Sequence, residues 1–325
     1  MTPPARYEFR APTPADLDAV AEVLLADDLD DSGESVLDAD FLRDEWSRPG
    51  FDLATDGWVA VDGADTIVAF GHAVREQPTL VESWGVVHPE HRGRGIGSSL
   101  LDRIEERASE LVAGLPSARF RHAINAGDRA AAAMLETRGL RLVRHFWHMQ
   151  IELVEPLEAG PAPEGIEIAA TDAPADLPDV YAVINEAFAD HWGEYPGAFN
   201  SWSEMKTASP SYDPTLWLLA THGGEAVAAL TASVERHRGW VMDLGVLAPY
   251  RGRGIGAALL RRSFATLAGR GARRALLSVD AENRTGATAL YERAGMRVVK
   301  RWDAWERTSC GSADLSGHHR HRTGA

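Results

Sequence analysis

Apolar positions along the chain alternate between two spacings, and the whole series occurs twice. Alternate-residue patterning over Tyr7–Arg10 predicts a short strand, and a capped Leu/Val/Ala-rich stretch predicts a helix from Asp16 to about Leu25. Trp58–Val61 and Thr66–Val74 flank a turn at Asp62-Gly63 and predict a hairpin, and Leu80–Val87 predicts a further strand. Ile96, Leu100, Leu101 and Ile104 then recur at helical spacing. The second series begins with a strand at Ile166–Ala169 and a helix from Asp176 to about Phe188. A hairpin follows, with Leu216–Thr221 and Ala226–Val234 about a turn at Gly223-Gly224. Next come a strand at Trp240–Leu247 and a helix marked by Ile255, Leu259, Leu260, Phe264 and Leu267. Ala15-Asp16-Leu17 in the first series parallels Ala175-Asp176-Leu177 in the second. A strand, a helix and a strand close each half. The pattern predicts an α/β protein of two tandem domains, each a mixed, largely antiparallel sheet with helices on both faces. The expected boundaries are 1–154 and 165–308. A Pro-rich acidic linker at 155–164 joins them, and a polar, disordered tail follows at 309–325.

A short loop sits at the same place in each series. The first copy reads Val86-Val87-His88-Pro89-Glu90-His91-Arg92-Gly93-Arg94-Gly95-Ile96-Gly97. The second reads Val246-Leu247-Ala248-Pro249-Tyr250-Arg251-Gly252-Arg253-Gly254-Ile255-Gly256. Each joins a predicted strand to a predicted helix. A helix start offers backbone N–H groups without intrahelical partners, and the peptide dipoles add positive charge there, so it binds anions and phosphate in particular. Glycines let the backbone curl into a nest of N–H groups, and arginines add forked donors. A Walker loop would need Gly-Lys-Ser/Thr, and this chain has no Gly-Lys pair.

Composition narrows the partners. Of 325 residues, 45% are hydrophobic, enough for two ordinary cores. The net charge of −15 excludes nucleic acid as the main partner, because a phosphate backbone calls for a basic footprint. The single cysteine, Cys310, excludes a disulfide framework and a multi-cysteine zinc site. The histidines show no metal-ligand spacing, so no metal is expected. No apolar run approaches a membrane span and no signal pattern opens the chain, so a cytoplasmic protein is expected.

Arg-x-x-Gly-x-Gly after a Val-x-x-Pro strand end resembles the acyl-CoA loop of the GNAT N-acetyltransferase superfamily, and the likeness covers both halves. It implies that the loop amides hold the CoA pyrophosphate at Arg251, Gly252, Arg253, Gly254, Ile255 and Gly256. The matching positions of the first half are Arg92, Gly93, Arg94, Gly95 and Gly97. The strand around Leu244 and Val246 is then expected to pair with pantetheine and to polarise the thioester carbonyl. The segment from Leu276 to Met296 resembles the family's second signature, a strand and an Asn followed by Leu290-Tyr291-Glu292 and Gly295. This implies that Asn283 contacts pantetheine or nearby backbone and that the Tyr291 hydroxyl faces the CoA sulfur. A phenol of pKa near 10 can hydrogen-bond or protonate a leaving thiolate. Aligning Gly139 with Gly295 puts Leu135 where Tyr291 stands, so the first half is expected to lack the chemistry, and CoA binding by its loop is left open.

An acceptor amine has to lose a proton, and Asp243, on the strand before the loop, is the expected base. Simple alternation places it on one face with Val241 and Gly245 and matches it to Ser83 in the first half. Glu235 and His237 are alternatives, and a structural salt bridge is the other role open to Asp243. Trp192, Glu194 and Tyr195 are expected to wall the acceptor pocket, while Asp27-Asp28-Leu29-Asp30-Asp31 reads as a solvated acidic loop. The expected activity is transfer of acetyl from acetyl-CoA to a primary amine of a small molecule by direct attack in the second half. Alternatives are acetylation of a xenobiotic, aminoglycoside or protein amine, and a non-catalytic acyl-CoA sensor.

Overall fold

The first repeat runs β1 (Glu8–Arg10), α1 (Leu17–Ser32), α2 (Ala39–Trp46), α3 (Leu53–Asp56), β2 (Gly57–Val61), β3 (Ile67–Gln77), β4 (Leu80–Val87), α4 (Ile96–Leu111), β5 (Arg119–Asn125), α5 (Arg129–Thr137) and β6 (Arg141–Glu152). The second runs β7 (Ile166–Ala170), α6 (Leu177–Ala187), α7 (Phe199–Thr207), β8 (Leu218–His222), β9 (Glu225–Glu235), β10 (Arg238–Val246), α8 (Ile255–Gly269), β11 (Arg274–Asp280), α9 (Ala287–Arg293) and β12 (Arg297–Thr308). These elements come from a computed structural model that describes residues 7–308 except 36–38, 49, 116, 155–156, 190, 193–196, 210, 236 and 284. The expected tail lies outside the described residues.

The chain divides into two compact units, and neither is one continuous segment. Residues up to Phe146 group with those from Lys300 onward, and Trp147–Val299 form the other unit. In the first unit the sheet runs β1-β2-β3-β4-β5 and is completed by β12. Residues 302–308 lie antiparallel to β5, from Trp302 opposite Asn125 to Thr308 opposite Arg119. In the second unit the order is β7-β8-β9-β10-β11, followed by the part of β6 from Trp147. There the Leu153 N–H donates to the Arg273 carbonyl at 2.8 Å. Each repeat along the chain thus gives its last strand to the other unit.

Within each unit the fourth and fifth strands of the repeat are parallel and the first four pair antiparallel. A parallel pair needs a long crossover, supplied by α4 in one unit and α8 in the other. The apolar stripe of α4 (Ile96, Leu100, Leu101, Ile104) is buried with Val81 and Phe120 on one sheet face. Val20, Val23 and Leu24 of α1, with Leu42 of α2, are buried with Phe70 and Val86 in a second cluster. In the second unit α6, α7 and α8 contribute to one cluster that includes Trp202, Leu230, Leu260 and Tyr291.

Two departures from the sequence reading bear on the site. First, α1 runs on to Ser32 and closes at Gly33, whose φ is +74° and whose N–H donates to the Leu29 carbonyl at 3.0 Å. The acidic segment is therefore helical and turned partly inward. Asp28 is buried in an ion pair with Lys300, and Asp27 bonds Arg92 and Asn125. Acids at a helix C-terminus oppose its dipole, and these cations offset that cost. Second, α2 and α7 are helices that the sequence reading did not include. Their anchors are single large side chains, Leu42 and Trp202, which are fully buried.

Candidate active site

In the second unit, β10 ends at Val246, a short turn spans Ala248–Tyr250, and α8 starts at Ile255. Gly252 (φ +76°) and Gly254 (φ +81°) adopt the left-handed conformation that curls the amides of the loop toward one point. A Cβ on Gly252 would meet nothing within 4 Å, so it is the positive φ and not crowding that calls for glycine there. At Gly256 a Cβ would come within 3.1 Å of the Leu290 side chain, so this glycine lets α8 lie close to α9. Ile255 is buried and anchors the first turn. The Arg251 guanidinium does not face the nest. Its Nε donates to the Val246 carbonyl at 2.9 Å and its Nη2 to the Ala187 carbonyl at 3.3 Å, tying the end of α6 to the end of β10. Arg253 lies exposed over the Tyr250 ring, 5.1 Å from its centroid.

A β-bulge shapes the strand before the loop. Val241 lies opposite Ala232 and Asp243 opposite Thr231, so Met242 is an extra residue, and it is half exposed. The bulge corrects the simple alternation. A Cβ on Gly239 would meet Leu267 of α8, whereas one on Gly245 would meet Ala187 and Ile184 of α6. The side of the strand therefore switches between them, and Asp243 shares a face with Gly245 but not with Val241. The pairing of β10 with β11 runs from Arg238 opposite Arg274 to Trp240 opposite Leu276 and stops there, although both strands continue. The Leu247 N–H donates to the Val227 carbonyl. By alternation the N–H groups of Leu244 and Val246 point away from β9, toward the side where the pairing with β11 has ended.

Asp243 is buried in a polar cluster. Its Oδ2 accepts from Lys206 Nζ of α7 at 2.9 Å and from Thr231 Oγ1 of β9 at 2.5 Å. All three residues are buried. Tyr291 of α9 is buried as well. Burial pushes its phenol up to about 12, and the negative charge of Asp243 adds to the rise. The hydroxyl therefore stays protonated throughout the ordinary pH range. Asn283 turns its Oδ1 to the Thr285 N–H (2.7 Å) and hydroxyl (2.5 Å), forming the turn that leads to α9. The Trp192 carbonyl accepts from His191 Nδ1 at 2.9 Å, while Glu194 and Tyr195 lie outside the described residues. Of the alternative bases, Glu235 is half-buried at the end of β9, and His237 is exposed with Nδ1 3.3 Å from the Gly271 carbonyl. Sequence reasoning missed Lys206. A signal was present, since the chain has only two lysines, Lys206 and Lys300, in a Lys+Arg total of 33.

The first unit carries the same loop in different surroundings. Gly93 (φ +74°) and Gly95 (φ +82°) repeat the left-handed pair. Arg92 Nε again points to the strand-end carbonyl, that of Val87, at 3.3 Å, but its other nitrogens bind Asp27 and Asp30, each at 2.6 Å. Arg94 reaches Tyr7 and the Glu90 carbonyl. Val87 and Val246 each lie 3.7 Å from where a Cβ on Gly97 or Gly256 would stand, which makes them equivalent. Counting back from them, Trp84 occupies the place of Asp243. Ser83 faces α4 and bonds His122 Nδ1 (2.8 Å) and the Arg121 carbonyl. The loops are offset by 159 residues and the Ala-Asp-Leu repeats by 160, so matching at the larger offset put Ser83 one place away from the true counterpart. Trp84 sits opposite His72, with rings 4.9 Å apart, and also touches Phe70 and Phe41. Leu135, in the place of Tyr291, is fully buried. Parallel pairing of β4 with β5 continues as far as Trp84 opposite Ala123.

Among the described residues there is no cluster of His, Cys, Asp and Glu able to hold a metal ion, and no helix long and apolar enough to cross a membrane. The family model described as "Acetyltransferase (GNAT) family" matches residues 177–296, and that described as "Acetyltransferase (GNAT) domain" matches residues 54–138. The chain is 31% identical to a mycothiol acetyltransferase of Nocardioides sp. over 74% of its own length and 88% of the relative's. It is also 31% identical to that of Thermobispora bispora, over 89% and 95%. Among solved structures, a GCN5-related N-acetyltransferase from Sphaerobacter thermophilus superposes with a TM-score of 0.83 at 33% identity, covering 97% of this chain and 99% of that one. A tandem GNAT protein from the clavulanic acid biosynthesis pathway shares the fold, with a TM-score of 0.69 at 16% identity, covering 95% and 100%. The glycine loop that follows a bulged strand, present here with its relatives' two-domain plan, places the chain in the GNAT acetyltransferase family as an acyltransferase enzyme.

Proposed function

We propose that the second unit moves an acetyl group from acetyl-CoA to a primary amine of a small molecule by direct attack. The observation that carries this reading is the pairing, in one unit, of a buried protonated phenol with a buried carboxylate, which the first unit replaces with Leu135 and Trp84. The pyrophosphate rests on the amide nest of Gly252–Gly256, and pantetheine lies along Leu244–Val246 where β10 and β11 part. The Val246 N–H polarises the thioester carbonyl. Asp243 receives the proton of the incoming ammonium, directly or through water, and Lys206 and Thr231 hold the carboxylate in place. The amine adds to the carbonyl carbon, the C–S bond breaks, and Tyr291 protonates the departing sulfur. The relatives' name supports the unacetylated form of mycothiol as the first acceptor to try, ahead of xenobiotic or protein amines.

The test is release of CoA thiol from acetyl-CoA in the presence of a panel of primary amines that includes that acceptor. Amine-dependent release that falls by about tenfold or more in Tyr291→Phe is the expected result. CoA binding without release for any amine favours the acyl-CoA sensor instead.

A further inference from the structure

The chain handles its lysines in an unusual way. Both are buried, and each is paired with an aspartate of its own unit: Lys206 with Asp243 and Lys300 with Asp28. Every other basic side chain apart from histidine is an arginine, which cannot act as an amine nucleophile at ordinary pH. The two lysines differ in surroundings. Lys300 and Asp28 sit in the unit where the phenol is replaced by Leu135. Lys206 sits 2.9 Å from the carboxylate proposed as base, and that carboxylate's charge reaches Tyr291. A primary ammonium hydrogen-bonded to Asp243 is the arrangement the external acceptor has to reach before attack.

Resting on the reading of the second unit as the acetyl-CoA site, we propose that Lys206 is itself an acetyl acceptor, modified by the enzyme's own bound acetyl-CoA when no external amine fills the site. The ammonium first passes one proton through Asp243 to solvent. Nζ then bonds to the thioester carbonyl carbon and the C–S bond breaks. Sulfur takes a proton from Tyr291, and the second proton leaving nitrogen restores the phenol. The products are Nε-acetyl-Lys206, CoA thiol and one released proton. The amide is neutral and cannot form an ion pair with Asp243, so a buried carboxylate loses its cation and the site is switched off. The enzyme would then limit its own consumption of acetyl-CoA.

The experiment is to incubate the full chain with acetyl-CoA alone and follow its intact mass, then map the acetyl group by peptide fragmentation. The same preparation is assayed for acceptor-dependent thiol release. The expected result is one acetyl group per chain on Lys206, none in Lys206→Arg, and labelling slowed about tenfold or more in Tyr291→Phe. Activity should fall in step with the label, and excess acceptor should protect against both. An unmodified Lys206 in an enzyme that turns over external amines overturns this proposal and leaves the proposed function standing. Label on Lys300, Cys310 or the N-terminus with Lys206 unmodified has the same meaning. Absence of both label and turnover overturns both.

Discussion

At one position in each sheet the two units make opposite choices. The second unit buries Asp243 against Lys206 and Thr231, while the first packs a partly buried Trp84 against His72, Phe70 and Phe41. A buried ion pair is a poor route to stability, because removing two charges from water costs about as much as their attraction returns. Packed aromatic rings stabilise through burial and edge-to-face contact. At this position the first unit carries apolar packing, and the second, where the chemistry is proposed, keeps the costly cluster. The loops diverge in the same sense. Arg92 is held by two carboxylates and Arg251 by two carbonyls, so acidic partners neutralise the cation beside the first loop.

The sharpest break of the comparison is at the loops. Gly254→Glu places a strained, negative side chain at the nest and should abolish acetyl-CoA binding measured by calorimetry, whereas Gly95→Glu should leave turnover intact. Next, Asp243→Asn should lower kcat by about 10²–10⁴-fold if Asp243 is the base, with the fold checked by circular dichroism. Trp84→Ala in the first unit should leave kcat unchanged and only lower the melting temperature. Third, Lys206→Met and Lys300→Met should each destabilise the protein by about 3–5 kcal/mol in denaturant unfolding, since each strands a buried aspartate. Only the Lys206 variant should also change the pH profile of kcat.

The smallest effects are those of pH. Burial depresses His72 to about 3 and His122 to about 4, so the folded first unit keeps both neutral. Their stabilising contribution is complete above pH ~6.5, the unfolded value, and is lost as pH falls toward 3–4. Among the described residues no histidine of the second unit is buried, so acid should weaken the first unit before the second, and His72→Phe should narrow the gap. Tyr291 works in the opposite direction. Its phenol is raised to about 12, so that contribution is intact below pH ~10 and is lost between 10 and 12. An alkaline fall in kcat near neutrality would therefore come from another group.

The duplicated series of strands and helices was legible because period-2 and period-3.6 patterns survive in the apolar residues themselves. Tyr291 and Leu135 could be matched because Gly139 and Gly295 both close their helices at positive φ. The register of Asp243 could not be read in the same way. A bulge adds one residue without changing composition, so Met242 looks like any strand residue while it shifts which face Asp243 takes. Asp27 and Asp28 read as solvated, because the cations that draw them inward, Arg92 and Lys300, are remote in sequence. The same is true of Lys206, which reaches Asp243 across 37 residues.

The exchange of last strands sets the order in which the protein can be finished during synthesis. The first unit's sheet is closed by residues 302–308, which are made after the whole of the second unit, while the second takes in residues from Trp147 that precede the rest of it. The half translated first is therefore completed last. Until then the edge of β5 is bare, and a nascent chain stalled or truncated before Lys300 would expose it to other strands. Cutting the chain at the linker would likewise yield fragments that each carry the other's closing strand.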